Sequence, residues 1–134
     1  MDNKTGYGPH LTCDLEMCNF DKIADLENVR NFLNSVPESI GMVKISDGEP
    51  FWYRPEPVMD HGITGMDFIV GKTIIATSHI SIHTYPYIRY AFIDIFSCKP
   101  FDTELAIDII RQFFEPEVVD HDVKWRGKNF HVYA

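Results

Sequence analysis

Alternation of apolar and polar positions is clearest over 73–84, where Ser78, Ile80 and Ile82 share one face and His79, Ser81 and His83 the other. Period-two patterning of this kind predicts a strand. A second run over 90–98 is apolar on both faces apart from Asp94 and its Ser97-Cys98 end, and a Tyr85-Pro86-Tyr87 turn joins the two. Central strands rarely gather two histidines, a serine, an aspartate and a cysteine among β-branched residues. Burying such groups is costly unless they are paired or used. The stretch 73–98 is therefore where function is to be sought.

Around it, His10–Cys18 alternates with Leu11, Cys13 and Leu15 on one side and predicts another strand. Leu26, Val29, Phe32, Leu33 and Val36 recur at helical spacing and predict an amphipathic helix over 23–36, ended by Pro37. Met42–Ile45 reads as a strand, and Glu49–Arg54 as a short edge strand limited by Pro50, Pro55 and Pro57. His61–Gly65 forms a glycine-flanked pivot, and Gly71-Lys72 turns or bulges the chain ahead of the long 73–84 strand. Asp102 or Thr103 caps a second helix over 103–114 with Leu105, Ala106, Ile109, Ile110 and Phe113 as its apolar face. Residues 117–124 make a last strand, followed by a turn over 125–128. Strands in the middle with one helix before and one after predict an α/β (α+β) fold. The expected form is a two-layer sandwich, a largely antiparallel sheet with both main helices on one face.

At 134 residues, 45% apolar and 24% charged, the chain is expected to form one folded domain, 1–134. A net charge of −8 with no Lys/Arg cluster argues against nucleic acid or an anionic membrane as partner. No signal-peptide pattern and no apolar run of membrane-spanning length is visible. Three cysteines, an odd number without metal-knuckle spacing, favour a reducing, cytoplasmic compartment.

His79 and His83 stand four apart on a predicted strand, roughly 13 Å, too far to share one ion. No metal site is expected. Cys13 and Cys18 read as small buried residues, whereas Cys98 ends a polar-studded strand before a Lys99-Pro100 turn and is a candidate reactive group. No phosphate loop, nucleophile elbow or zinc helix is present. The residues by themselves stop at a soluble α/β domain with a polar central hairpin.

Thr77-Ser78-His79-Ile80-Ser81-Ile82-His83-Thr84-Tyr85-Pro86, continued by Tyr90-Ala91-Phe92-Ile93-Asp94-Ile95-Phe96-Ser97-Cys98, resembles the processing-site motif of the prokaryotic S-adenosylmethionine decarboxylases. These are small pyruvoyl-dependent enzymes of polyamine synthesis, built as two-layer α/β sandwiches. Looser similarity at His10-Leu11, at 62–65 and at 120–127 extends the likeness over nearly the whole chain. The resemblance implies that Ser78 Oγ attacks the Thr77 carbonyl, that the resulting ester eliminates, and that the chain is cut between 77 and 78. The second fragment would then begin with a pyruvoyl group, a covalent cofactor derived from Ser78.

His83 matches the processing histidine, and Cys98 the cysteine that protonates the product carbanion. Thr64 stands for the auxiliary serine of a glycine-serine-glycine-like element, with Thr73 as the other candidate hydroxyl. The ketone would form a Schiff base with a small cationic substrate, S-adenosylmethionine, and act as electron sink as carbon dioxide leaves. A cytoplasmic homodimer of cleaved protomers is implied. Three features depart from the pattern: Thr77 replaces a glutamate before the serine, Tyr87 replaces another after the proline, and the 62–65 element carries Thr64 for serine and stands farther upstream of Ser78 than usual. These departures leave open a pyruvoyl decarboxylase for ornithine, arginine or lysine, or an unprocessed non-enzymatic relative.

Overall fold

A computed structural model describes residues 6–54 and 67–133. Within them lie six strands, β1 (Gly8–Glu16), β2 (Phe51–Tyr53), β3 (Phe68–Ile75), β4 (Ser78–Tyr85), β5 (Tyr90–Phe96) and β6 (Val118–Arg126). They form one sheet in the order β2-β3-β4-β5-β1-β6, every pairing antiparallel. Four helices accompany it: α1 (Phe20–Ile23), α2 (Leu26–Ser39), α3 (Thr103–Phe114) and the short α4 (Phe130–Tyr133).

One sheet face is apolar and buried, through Leu11, Leu15, Ile69, Ile80, Ile82, Ala91, Ile93 and Ile95. Against it pack Val29, Phe32, Leu33 and Val36 of α2 and Ala106, Ile107, Ile110 and Phe114 of α3. The Phe32 ring meets Phe114 edge-on at 5.0 Å and so locks the two helices together on that face. This is the predicted two-layer sandwich.

Details differ from the sequence reading. The predicted 23–36 helix is shifted: α2 begins only at Leu26, where the Asp25 side chain accepts from the Glu27 and Asn28 amides, and Ile23 belongs to the separate short α1, whose Asn19 cap accepts from the Asp21 amide. Nor does Pro37 end α2, which runs to Ser39. Proline has no N–H to give the Leu33 carbonyl one turn back. The buried Thr73 hydroxyl donates to that same carbonyl at 2.6 Å instead. Along α3 the buried stripe includes Ile107 while Leu105 is largely exposed, so its predicted face is slightly out of phase.

Residues 42–45 make only a single bridge, Lys44 to Ile75, rather than a strand. The largest difference concerns the long 73–84 strand. It is a hairpin, broken at Ala76-Thr77, with Ile75 and Ser78 as the closing pair and Gly71-Lys72 running through β3 in continuous register.

Candidate functional site

The Ala76-Thr77 loop has none of the residues that favour tight turns. Thr77 sits in the left-handed region at φ +61°. For a β-branched residue this is a genuine outlier, costing on the order of 1–3 kcal/mol. Two side chains brace it. The Tyr7 hydroxyl donates to the Thr77 carbonyl at 2.7 Å, and the Thr77 hydroxyl donates back to the Ala76 carbonyl.

Ser78, the first residue of β4, turns its side chain to the buried face of the sheet. Its Oγ accepts the backbone N–H of Cys98 at 3.0 Å. Register brings the two together: His79 pairs with Phe96, so Ser78 lies beside the turn that follows β5. The buried Ser97 shapes that turn, donating through Oγ to the Lys99 carbonyl at 2.7 Å and accepting the Lys99 amide at 3.1 Å. The start of β1 presses on it, with the Ser97 amide donating to the Pro9 carbonyl at 3.0 Å. A Cβ on Gly8 would overlap the Ser97 carbonyl oxygen, so only glycine permits this approach.

His83 is placed elsewhere. Register from Ser78 to Tyr85 is continuous on both sides of β4, with no bulge. Five residues of strand put His83 about 16 Å from Ser78, and the odd spacing puts it on the opposite face. The resemblance gives Ser78, His83 and Cys98 a shared site near one end of the central hairpin, which a strand could supply only through a bulge, a twist or the chain break. Here Ser78 and Cys98 meet, and His83 of the same chain does not join them. His83 instead borders a cavity of about 420 Å³ with Asp47, Glu49, Phe51, Lys72 and Ser81. That cavity does not touch Ser78. The strained bond and the contact of its serine locate the candidate chemistry better than the cavity does.

Thr64 lies outside the described residues. Thr73 is buried with its hydroxyl committed to the Leu33 carbonyl, which makes it a structural partner of α2. The Cys13 and Cys18 thiols are fully buried, and burial pushes them up to about 12 and about 11. They belong to the core. Cys98 is only partly buried.

On the open face, beside Ser78, a cluster has formed whose His79 and Asp94 the sequence pointed to and whose Tyr7 and Arg126 it did not. The Phe96 ring is flanked by Tyr7 at 5.6 Å, His10 at 5.5 Å and His79 at 5.7 Å. The Arg126 guanidinium stands 4.3 Å from its centre. His10 Nε2 is buried without a hydrogen bond and lies 3.9 Å from an Asp94 carboxylate oxygen. Burial lowers the His10 pKa, helped by Arg126 and His79, and the attraction of Asp94 does not offset it.

A two-layer α/β domain whose central hairpin turns on a strained Thr-Ser bond, with a cysteine loop on the serine, defines a recognisable class. A family model described as S-adenosylmethionine decarboxylase matches residues 9–127. The S-adenosylmethionine decarboxylase proenzyme of Persephonella marina is 34% identical over 121 residues, 90% of this chain and 82% of that one. The proenzyme of Aquifex aeolicus is 33% identical over 121 residues, with 90% and 81% covered. The crystal structure of the adenosylmethionine decarboxylase from Aquifex aeolicus superposes with a TM-score of 0.71 at 29% identity, covering 92% of each chain. The chain belongs to the S-adenosylmethionine decarboxylase proenzyme family.

Proposed function

We propose that the chain is a proenzyme that cuts itself between Thr77 and Ser78 and then decarboxylates S-adenosylmethionine, supplying the aminopropyl donor of polyamine synthesis. The observation that carries this reading is the Thr77–Ser78 linkage itself. A left-handed threonine precedes a serine whose Oγ is held by the Cys98 amide. Attack of that oxygen on the Thr77 carbonyl relieves the left-handed strain as the amide becomes an ester.

The residues fit a pyruvoyl group, since its precursor Ser78 has its Oγ held by the Cys98 amide beside the turn that Ser97 shapes. That group supplies a carbonyl able to withdraw electrons from the substrate as carbon dioxide leaves. Cys98 is the thiol-bearing residue of the turn touching Ser78, and we assign it the return of a proton to the product. Tyr87 lies beyond the far end of β4, more than about 20 Å along the strand from Ser78. The carboxylate lost there does not border Ser78 of the same chain.

The open sheet face carries the exposed Phe92 and Ile74 besides His79, Ser81 and His83. We assign it to a second copy of the chain, giving a homodimer. His83 then acts across that interface, on a Ser78 of the other chain. Carbon dioxide release from adenosylmethionine, ornithine, arginine and lysine tests the substrate. Release from adenosylmethionine alone is expected. Release only from an amino acid lacking adenosine would replace this reading with that of a basic amino acid decarboxylase.

A further inference from the structure

We propose that Tyr7 is a catalytic residue of the self-cleavage, its phenolic hydroxyl polarising the Thr77 carbonyl for attack by Ser78 and holding the charge that develops on that oxygen. The inference rests on the self-processing reading and adds to it the electrophilic group that reading lacks.

The contact is direct. Tyr7 donates at 2.7 Å to the oxygen of the bond to be cut, from a position 70 residues away in the chain. The donor is held before any reaction occurs. The Tyr7 amide donates to the Arg126 carbonyl at 2.8 Å, and its ring lies against Phe96 and edge-on to Phe130 at 4.9 Å. Gly127, at φ +69°, leaves the ring its room, since a Cβ there would stand 2.6 Å from the Tyr7 Cβ. Thr77 is exposed, so water would satisfy its carbonyl without help. A long-range tyrosine on that oxygen is therefore not needed to complete the fold. Preorganised donors aimed at an oxygen that gains charge are a strong source of rate enhancement.

In the step itself the Ser78 Oγ–carbon bond forms and the carbonyl π pair moves onto the Thr77 oxygen, where the Tyr7 O–H hydrogen bond strengthens. The Ser78 hydroxyl proton passes to the Ser78 nitrogen. The carbon–nitrogen bond breaks as the carbonyl re-forms, leaving an ester to Oγ and a free amine. Tyr7 keeps its proton throughout.

Tyr7→Phe retains the ring contacts and removes only the donor. Cutting is followed by intact mass, and ester formation by hydroxylamine, which cleaves the ester at 77–78 and leaves the amide whole. The variant is expected to keep the wild-type thermal midpoint, while ester formation and cutting both slow by about 10²–10³-fold. Wild-type rates in Tyr7→Phe would overturn the proposal. So would an ester that forms at the wild-type rate and then persists, which would place Tyr7 at a later step. No cutting in either chain would remove the self-processing reading, and the role of Tyr7 with it.

Discussion

Ser78 and His83 stand on one continuous strand and face opposite sides of the sheet. Their separation is fixed by strand geometry at about 16 Å, and no side-chain rotation closes such a gap. On the homodimer reading proposed above, a step that needs both draws them from different chains, His83 coming from the open face of the partner.

Mixed dimers test this arrangement. Ser78→Ala chains cannot be cut but keep His83, and His83→Ala chains keep Ser78. Each alone is expected to remain whole. Coexpressed, the His83→Ala chain should be cut while its Ser78→Ala partner stays intact, read by mass on differently tagged chains. No cutting in the mixture, or normal cutting of His83→Ala alone, would contradict it.

Strain at Thr77 has a measurable size. Glycine adopts the left-handed conformation freely, relieving about 1–2 kcal/mol, of which its own chain entropy removes about 0.5–1. In the uncuttable Ser78→Ala background, Thr77→Gly is therefore expected to raise the thermal midpoint by roughly 3 °C. In the otherwise wild-type chain the same change should slow cutting. A lowered midpoint would show that Thr77 is not strained.

Much of this was legible in the sequence, and the exceptions have physical causes. Alternation at Leu11, Cys13 and Leu15 marked β1, and Asp102 with its helical stripe marked α3. The hairpin at Ala76-Thr77 was hidden because it lacks the glycine or asparagine that usually signals a tight turn. A continuous strand would put Ile74 on the face of Ser78, whereas the turn puts Ile75 there. The opposite parity of Ser78 and His83 was visible in their odd spacing, but not that the strand stays regular between them. Tyr7 gave no signal at all: it reaches Thr77 only because β1 and β6 carry it and its aromatic neighbours to that end of the sheet.

The His10 site predicts a pH dependence. Burial holds the folded pKa of His10 below its ordinary value of 6.5, with Arg126 and His79 adding to the effect and Asp94 opposing it. As pH falls, the unfolded chain takes up this proton first, so stability is full above about 6.5 and declines as pH drops through the folded value. Denaturation midpoints of the Ser78→Ala chain should fall between pH 7.5 and 6.0, and His10→Gln should flatten that slope. An unchanged slope would mean that His10 is not held neutral by the fold.

The central claim is that this chain breaks its own Thr77–Ser78 bond, and intact-mass spectrometry of the purified wild-type protein, fresh and after days at physiological pH and temperature, tests it most directly. Two fragments are predicted, 1–77 and 78–134, the second without a free α-amine and reactive towards a carbonyl reagent, with Ser78→Ala remaining whole. A single full-length mass throughout, with no carbonyl adduct, would contradict it.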